Sequence, residues 1–289
     1  MEKEALFYRQ LEDNVVQCQL CPHFCTIRPG ERGKCKAREN QNGMLISLVY
    51  GRPCSTAVDP IEKKPFYHFF PGSRTLTIAT VGCNLSCKHC QNWEISQAEI
   101  EQGIFNEISP SGIIKLCKDL NSSIISFSYT EPSVWYEYML DISKLAKEDG
   151  LHTAMITNGF INPEPLKKLM PYIDAFNIDL KSLDEKFYDE ICGARLKPVL
   201  EAIKIVYKSG KHLELTNLII PGLNDKEEYI IKLVKWIVEN LDVNVPLHFS
   251  AFYPCYKLEH LPPTNPISVK NAREIAIKLG MKNVYTGNI

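Results

Sequence analysis

Cys83, Cys87 and Cys90 are the residues whose types and spacing most directly indicate chemistry in this sequence. They form a C-x3-C-x2-C pattern, whereas a cubane iron–sulfur cluster ordinarily takes four thiolates. A cluster held by three cysteines leaves one iron open to bind a small molecule. Cys-x2-Cys is also a zinc spacing, but the first gap and the apolar run TLTIATV at 75–81 favour a cluster.

A second group of cysteines near the N-terminus, Cys18, Cys21, Cys25 and Cys35, could bind either tetrahedral zinc or an auxiliary iron–sulfur cluster. Four thiolates leave no open position, so we expect a structural or electron-relay role. Zinc is favoured because the quartet lacks a ferredoxin-like repeat. The odd total of eleven cysteines argues against disulfides. The other cysteines stand alone in the sequence: Cys54, Cys117, Cys192 and Cys255.

The overall composition is typical of an enzyme with a large core. The chain has 289 residues and is 45% apolar. Its 33 Lys and Arg are scattered among 34 Asp and Glu, so we expect no nucleic-acid partner. There is no signal-peptide pattern and no apolar run of about 18 residues, which predicts a cytoplasmic protein without a membrane partner. The charged residues 1–14 are helical in pattern.

Strand-like apolar runs alternate with helical patterns from about residue 75 onward. Alternation without hairpin signals predicts parallel strands joined by right-handed crossovers. Six such units indicate an α/β fold, namely a partial, open (β/α)6 TIM-like barrel over residues 73–289. Residues 1–72 are predicted to form a small Cys-rich N-terminal extension and connector. One helical stretch is expected over about 184–209.

Polar residues gather at the predicted carboxyl ends of the strands, where parallel barrels carry their chemistry. Glu131 could accept hydrogen bonds from an ammonium group, and Asn158 could bind a carboxylate or a ribose. Asp179 and Lys181 would both face the barrel interior, because strand side chains alternate. Tyr253 is a candidate ribose or adenine contact. Each residue alone could equally be a turn or a solvated group, so the site depends on their convergence.

With these residues in view, the chain resembles radical S-adenosylmethionine (radical SAM) enzymes, whose cysteine motif has the spacing of Cys83, Cys87 and Cys90. The resemblance implies a [4Fe–4S] cluster whose open iron chelates S-adenosyl-L-methionine (SAM) through its amino and carboxyl groups. It also implies reductive cleavage of SAM to a 5′-deoxyadenosyl radical that abstracts hydrogen. Glu131 would contact the methionine amine. His89, where the motif usually has an aromatic residue, would pack near the adenine.

Further blocks are similar to glycyl-radical-enzyme activases of the pyruvate formate-lyase type: Thr157-Asn158-Gly159, Asp179-Leu180-Lys181 and Pro221-Gly222. Those activases often carry an aspartate immediately before Thr-Asn-Gly, where it helps to hold a monovalent cation. Ile156 is at that position here. The resemblance therefore implies that Asp179 would be the single carboxylate for such a monovalent cation in this chain.

The most specific resemblance is to the radical SAM component of the AmmeMemoRadiSam system, usually found with Memo-like and AMMECR1-like proteins. It rests on the N-terminal cysteine quartet and on the blocks Asp59–Pro65, His68–Gly72, Gln91–Ser96 and Tyr285–Asn288. Members commonly continue with a short tail containing C-P-x-C-G, whereas this sequence stops at Ile289. Either the chain lacks that tail or the sequence is truncated.

These resemblances predict a radical SAM oxidoreductase, similar to activating enzymes, that abstracts hydrogen from a protein or peptide. A flavodoxin or ferredoxin is implied as the reductant, and Memo-like or AMMECR1-like proteins are candidate partners. Two alternatives stay open. One is a glycyl-radical-enzyme activase, and the other is a non-catalytic iron–sulfur electron carrier or scaffold.

Overall fold

Short strands, not a helix, form the start of the chain in the computed structural model, which describes residues 2–289. They are β1 (Lys3–Glu4), β2 (Tyr8–Gln10), β3 (Val16–Cys18), β4 (Thr26–Ile27), β5 (Arg38–Gln41) and β6 (Met44–Ser47). Two antiparallel sheets result, with orders β1-β6-β5 and β2-β3-β4. The helical prediction for residues 1–14 is wrong because pairing with distant strands overrides the local pattern.

The remaining strands form one sheet in chain order. They are β7 (Ser55–Pro60), β8 (Arg74–Ala79), β9 (Ile124–Phe127), β10 (His152–Thr157), β11 (Ala175–Asp179), β12 (His212–Ile219), β13 (Leu247–Ala251) and β14 (Val284–Gly287). Strands β8 to β14 are parallel, and β7 pairs antiparallel with β8. Within residues 2–289 the edge strands β7 and β14 are not paired with each other. The predicted open, partial TIM-like barrel is confirmed, with β7 and β14 as additional strands.

Helices follow the strands, and the side chains of Ser109, Asp184 and Asn265 cap the start of three of them. The helices are α1 (Trp93–Ser96), α2 (Pro110–Asp119), α3 (Tyr136–Glu148), α4 (Pro163–Leu169), α5 (Glu185–Phe187), α6 (Leu196–Lys208), α7 (Glu227–Asn240) and α8 (Pro266–Lys278). At the start of α2, Ser109 Oγ accepts from Gly112 N–H at 3.1 Å, and Pro110 occupies the first helical position. A 3₁₀ turn, Pro132–Trp135, leads into α3.

The single helical stretch predicted over 184–209 is interrupted. A π-helical turn, Tyr188–Cys192, follows α5 and ends at Gly193, whose φ is +68°. The left-handed conformation of Gly193 terminates the turn before α6 begins. The carbonyl of Cys192 accepts from Ser86 N–H at 2.9 Å, which fixes this turn against the loop that carries Cys83, Cys87 and Cys90.

The extension packs on the barrel through buried polar contacts as well as apolar ones. Arg38 and Glu137 form an ion pair of 2.6 Å, and each side chain is 1% exposed. β7, which lies within the predicted connector, belongs to the barrel sheet. The division of the chain at residue 72 stays a prediction. Across residues 2–289, no helix combines the length and apolar character needed to cross a lipid bilayer.

Candidate functional site

The loop with Cys83, Cys87 and Cys90 lies between the carboxyl end of β8 and α1. Backbone N–H groups two residues further on point at two of its sulfurs: Leu85 donates to Cys83 Sγ at 3.4 Å, and Asn92 donates to Cys90. Burial raises the pKa of Cys83 well above its usual value, and the neighbouring sulfurs raise it further. The three thiols therefore converge, and their N–H donors are suited to stabilise thiolates.

Cys192, which has no partner in the sequence pattern, lies beside Cys87 in the fold. One ligand atom from each of Cys87, His89 and Cys192 lies within 4.8 Å of the others. A hydrogen bond from the Cys192 thiol lowers the pKa of Cys87, and the Lys181 ammonium lowers it further, against the effect of burial. No sequence pattern marks Cys192, because the π-helical turn and its contacts with the cysteine loop bring it there.

Glu131 lies just after β9 with 2% of its surface exposed. Its Oε1 accepts from Thr157 Oγ1 at 2.7 Å and from Ser133 N–H at 3.0 Å, while Oε2 accepts from Asn158 N–H at 2.8 Å. Burial raises the pKa of Glu131, and these hydrogen bonds act in the opposite direction. Because an ionised carboxylate can accept about four hydrogen bonds, Glu131 retains capacity for about one more donor.

Asn158, just after β10, connects Glu131 to the cysteine loop. Its Nδ2 donates to Asn84 Oδ1 at 2.9 Å and lies 3.8 Å from Cys83 Sγ. Its Oδ1 accepts from Phe160 N–H at 2.8 Å, so the amide orientation is determined. The structure thus brings together Cys83, Glu131 and Asn158 from the ends of three adjacent strands.

Asp179 and Lys181 form an ion pair at the end of β11. Lys181 Nζ lies 3.0 Å from Asp179 Oδ2, and the side chains are 13% and 35% exposed, respectively. Burial alone would lower the pKa of Lys181, but Asp179 and the thiols of Cys87 and Cys192 raise it well above its usual value. Lys181 is therefore a positive charge held between a carboxylate and the cysteine group.

His89 and Tyr253 lie in contrasting environments. His89 is 5% exposed, and burial together with the Lys181 charge lowers its pKa to about 3, so the imidazole is neutral. Within residues 2–289, His89 Nδ1 has no hydrogen-bond partner. Tyr253 is 52% exposed, and its hydroxyl donates to the Asn288 carbonyl at 3.1 Å. His89 thus belongs to the buried cysteine cluster, whereas Tyr253 lies on the outer rim.

Comparison with known proteins identifies this arrangement. The sequence profile of the Radical SAM superfamily matches residues 77–236, which include the three cysteines and the ends of β8 to β12. The chain belongs to the radical SAM superfamily. Uncharacterized protein MJ0808 of Methanocaldococcus jannaschii is 46% identical over 287 residues, which cover 99% of this chain and 85% of that protein.

Activating enzymes are also among the relatives of this radical SAM protein. The pyruvate formate-lyase-activating enzyme of Streptococcus mutans is 24% identical over 227 residues, covering 71% of this chain and 85% of that enzyme. Among solved structures, a radical SAM methyltransferase from Sphaerobacter thermophilus superposes with a TM-score of 0.57 at 13% identity. The match covers 76% of this chain and 67% of the methyltransferase. It shows a shared fold.

Radical SAM enzymes bind a [4Fe–4S] cluster and SAM, and the residues at this rim fit that pair. The cysteine loop provides three converging thiols with N–H donors. In addition, the Ser96 hydroxyl lies 3.2 Å from Cys90 Sγ. Glu131 has hydrogen-bonding capacity for an ammonium group. The donor set is therefore that of a three-thiolate cluster with a polar cofactor beside it.

Tyr129 is a part of the site that the sequence analysis did not assign. Its φ is +65°, a left-handed conformation that bulky residues adopt rarely. Its hydroxyl donates to Asp59 Oδ2 at 2.5 Å, and Lys64 Nζ lies 3.8 Å from its ring centroid. Asn92 Nδ2 donates to its carbonyl at 2.8 Å. The strand end that carries Glu131 is thus held by the predicted connector and by the cysteine loop.

The N-terminal quartet converges as the sequence pattern predicts. Cys18, Cys21, Cys25 and Cys35 line one small cavity of the extension. Burial raises the pKa of Cys35 to about 12, and the nearby Cys18 raises it as well. Burial also raises the pKa of Cys21, to which the other three thiols contribute. The four thiols therefore line one cavity, but no three of their sulfur atoms lie within 4.8 Å of one another.

An open groove of about 510 Å³ borders the cysteine loop. Its walls include Val81 and Trp93, which flank the loop in sequence, and the exposed Ile104. Trp93 stacks on Tyr256 with an interplanar angle of 12° and 5.2 Å between ring centroids. The groove therefore presents aromatic and apolar side chains beside segments that flank the cysteine loop in sequence, and Cys83, Cys87 and Cys90 do not line it.

Proposed function

We propose that this protein is a radical SAM oxidoreductase that abstracts hydrogen from a protein or peptide. The observation that carries the proposal is the 3.8 Å approach of Asn158 Nδ2 to Cys83 Sγ, with Asn158 N–H bonded to Glu131. This contact joins a three-thiolate loop to a buried acceptor for an ammonium group. When bound and reduced, the [4Fe–4S] cluster supplies the electron that cleaves SAM and yields the 5′-deoxyadenosyl radical.

The protein's own residues would position SAM and control charge around it. Glu131 would accept from the methionine amine with its remaining lone pair, and Asn158 would orient the carboxylate or ribose. Lys181, paired with Asp179, would offset the negative charge of the thiolates. His89 and Tyr253 would line the adenosine end, with His89 neutral.

Substrate and partners form the second part of the proposal. The groove beside the cysteine loop would admit an extended protein or peptide segment, with Trp93 and Tyr256 as aromatic contacts. The blocks shared with the AmmeMemoRadiSam radical SAM component support Memo-like or AMMECR1-like partners.

A flavodoxin or ferredoxin would reduce the cluster. Free cysteines throughout the chain suit the reducing cytoplasm. The N-terminal quartet would bind a second metal, as zinc or an auxiliary cluster.

A glycyl-radical-enzyme activase is the second candidate function. It is favoured by the match to the pyruvate formate-lyase-activating enzyme of Streptococcus mutans, which covers 71% of this chain. The two candidates share the SAM chemistry and differ in the hydrogen that is removed. Deuterium transfer into 5′-deoxyadenosine distinguishes them. Label from the backbone Cα of a glycyl radical enzyme supports the activase, whereas label from another partner supports the first proposal.

Anaerobic reconstitution tests the shared chemistry. Protein loaded with iron and sulfide is reduced with dithionite in the presence of SAM, and 5′-deoxyadenosine is measured by chromatography. We expect 5′-deoxyadenosine from the native chain and background amounts from Cys83→Ala. Cys117→Ser is the matched control, because Cys117 is buried in α2 and its thiol bonds to the Ser122 carbonyl. A reduced, cluster-loaded protein that forms no 5′-deoxyadenosine would support the electron carrier instead.

A further inference from the structure

Residues 61–72, between β7 and β8, cover the amino end of the barrel. Phe66 and Phe69 of this segment form a small apolar cluster with residues near the starts of β9, β10 and β11, namely Ile124, Ala154 and Ala175. The next residue along each strand belongs instead to the main core, together with residues of the helices: Ile125, Met155 and Phe176. Because strand side chains alternate, the first set lies on the inner face of the sheet.

Most inward positions beyond this apolar cluster are polar. By side-chain alternation and strand register they include Thr77, Ser126, Asn177, Thr216 and Ser250. Thr216 Oγ1 donates to Asn177 Oδ1 at 2.8 Å, so these two side chains share the inner face. Parallel barrels ordinarily fill their interior with bulky branched residues. Small hydroxyl and amide side chains instead leave room and hydrogen-bonding groups, so this interior is suited to a polar ligand.

Glu214 and His248 form a buried pair on the inner face. His248 Nε2 lies 2.6 Å from Glu214 Oε2, and the two side chains are 6% and 0% exposed, respectively. Glu214 also accepts from the N–H groups of Tyr67 and His68 at 3.1 and 2.8 Å, and His212 Nε2 lies 2.9 Å from its Oε1. Burial alone would raise the pKa of Glu214, but hydrogen bonds from the two imidazoles and from His68 N–H lower it to about 2. Glu214 is therefore ionised, and its acceptor sites are occupied.

The ionised carboxylate determines the tautomer of His248. A carboxylate only accepts hydrogen bonds, so Nε2 of His248 carries the proton. In the neutral imidazole, Nδ1 is then an acceptor with a free lone pair. Within residues 2–289, Nδ1 of His248 makes no hydrogen bond and is not fully enclosed. A buried carboxylate bonded to one imidazole nitrogen, with the other nitrogen free, is the arrangement that orients histidine as a general base in enzymes.

Aromatic rings hold the His248 imidazole between them. Tyr285 stacks on it with an interplanar angle of 29° and 5.3 Å between ring centroids. Tyr67 meets it edge-on, at 81° and 4.8 Å. His212, the other imidazole on the same carboxylate, packs instead against Phe69, with 5.6 Å between ring centroids. The two histidines therefore share one carboxylate but lie in different parts of the interior.

Strand register places His248 at the level of the candidate site. Asp179, at the end of β11, pairs with Thr216, and Thr216 pairs with His248. Because neighbouring strands lie about 4.8 Å apart, the backbones of Asp179 and His248 are about 10 Å apart along the sheet. Four strands separate β13 from β8, which precedes the cysteine loop. A substrate group inside the partial barrel would therefore lie between His248 and the three thiols.

We propose that His248 is a catalytic residue that accepts a proton from the substrate inside the barrel, with Glu214 as its positioning residue. This inference rests on the proposed hydrogen abstraction and adds the class of group attacked, namely a carbon that carries a hydroxyl or amino group. Loss of a hydrogen atom from such a carbon makes the adjacent O–H or N–H more acidic. That bond breaks, its proton bonds to His248 Nδ1, and the electron pair stays on the oxygen or nitrogen.

The negative charge of Glu214 balances the imidazolium that forms. An activase would need no such proton acceptor, because the glycyl radical is itself the product. The Glu214–His248 pair therefore favours the first candidate function over the second.

Nitrogen-15 NMR of the histidine side chains tests the geometry without a substrate. The spectrum is recorded on oxidised, cluster-loaded protein at a pH where histidine is neutral, and His248→Gln assigns the signals. We expect the Nε2–H tautomer for His248, with Nδ1 unprotonated. The Nδ1–H tautomer would overturn the proposal. If His248→Gln fails to fold, His248→Phe, which keeps a ring between Tyr67 and Tyr285, replaces it.

The partner that transfers deuterium to 5′-deoxyadenosine tests the role in catalysis. In His248→Gln, label should still enter 5′-deoxyadenosine, because hydrogen abstraction precedes the proton transfer. The modified partner should form about 10²- to 10⁴-fold more slowly, as for loss of a general base. His212→Gln is the matched control, because His212 also bonds to Glu214, and it should retain both activities. Added imidazole should restore part of the product formation in His248→Ala.

Two results would contradict the assignment of His248. One is product formation at the native rate in His248→Gln, and the other is an equal loss in His248→Gln and His212→Gln, which would indicate a structural role alone. A native chain that cleaves SAM but takes label from no protein or peptide would refute the proposed substrate instead. The NMR tautomer would still decide the geometry of His248, so the two failures are distinct.

Discussion

The two cysteine groups differ in what surrounds similar sulfur atoms. At both, backbone N–H groups two residues away donate to sulfur. The barrel loop provides three thiols and is bordered by Glu131, Asn158 and Lys181. The quartet provides four thiols in one cavity together with the Arg38 guanidinium. The comparison indicates that the barrel loop keeps polar groups free for a cofactor, whereas the quartet has only protein groups around its sulfurs.

Two buried carboxylates on one segment of the chain, Glu131 and Glu137, differ in the same way. Glu131 is bonded to hydroxyl and backbone N–H donors, which leaves it capacity for a cationic ligand. Glu137 is paired with Arg38, so its charge is already balanced by the protein. Between them, Val134 lines the quartet cavity. A single turn and helix start therefore contact both cysteine groups, with the free acceptor near the barrel loop and the ion pair near the quartet.

The largest expected effect comes from disabling the two cysteine groups one at a time, in separate variants. Cys87→Ala should reduce 5′-deoxyadenosine formation to background and leave in place the metal proposed for the quartet, zinc or an auxiliary cluster. Cys21→Ala should remove that metal and lower the thermal midpoint, because metal binding to a closed site contributes directly to folding. Metal analysis and chromatography on the same samples check both results. If Cys21→Ala abolished cleavage while the quartet metal stayed bound, the division of roles would be wrong.

The two carboxylates offer the next comparison. Glu137→Gln should lower the free energy of unfolding by about 3–5 kcal/mol, because it leaves the buried Arg38 charge without a partner. Glu131→Gln should cost about 1–3 kcal/mol of stability and weaken SAM binding about tenfold or more, because an amide cannot accept from all three donors and an ammonium. Urea unfolding and equilibrium binding of SAM to reconstituted protein measure the two quantities.

A surface ion pair provides the control for the Glu137 effect. Arg28 and Glu31 lie 3.6 Å apart with side chains 76% and 52% exposed. Glu31→Gln should change the free energy of unfolding by less than about 1 kcal/mol, because solvent screens exposed pairs. Similar losses of unfolding free energy in Glu31→Gln and Glu137→Gln would show that the burial of Arg38 does not cause the Glu137→Gln effect.

Features that depend on local sequence were predictable, and features that depend on distant pairing were not. Alternating apolar runs and helical periodicity predicted the partial barrel, because period 2 and period 3.6 are local signals. Spacing in the sequence predicted that the four N-terminal cysteines form one group, and they line one cavity. The strand Lys3–Glu4 was missed because its partner lies far along the chain, and Tyr8–Gln10 was missed because its pairing with the nearby Val16–Cys18 overrides a helical pattern.

The same distinction applies inside the candidate site. Glu131 and Asn158 were predictable because strand ends of a parallel sheet meet at one edge. Cys192 was missed because an irregular π-helical turn brings it to Cys87. Tyr129 was not among the candidate site residues. Its contacts with Asp59 and Lys64 arise from the antiparallel strand β7, for which residues 55–60 have only a weak apolar pattern.

The smallest expected effect tests the backbone contact between the two cysteine groups. Gly82 has φ +100° and Gly72 has φ +82°, so alanine is strained at both, by about 1–2 kcal/mol. A Cβ at Gly72 meets no atom within 4 Å, whereas one at Gly82 is 2.7 Å from the Cys35 carbonyl oxygen. Gly82→Ala should therefore lose about 1–3 kcal/mol more stability than Gly72→Ala. It should also weaken metal binding at both cysteine groups, because the displaced oxygen belongs to Cys35 and Gly82 precedes Cys83. Chelator competition at each group separates the outcomes, and loss of iron from Cys83, Cys87 and Cys90 with unchanged metal retention at the quartet would show that the two loops respond independently.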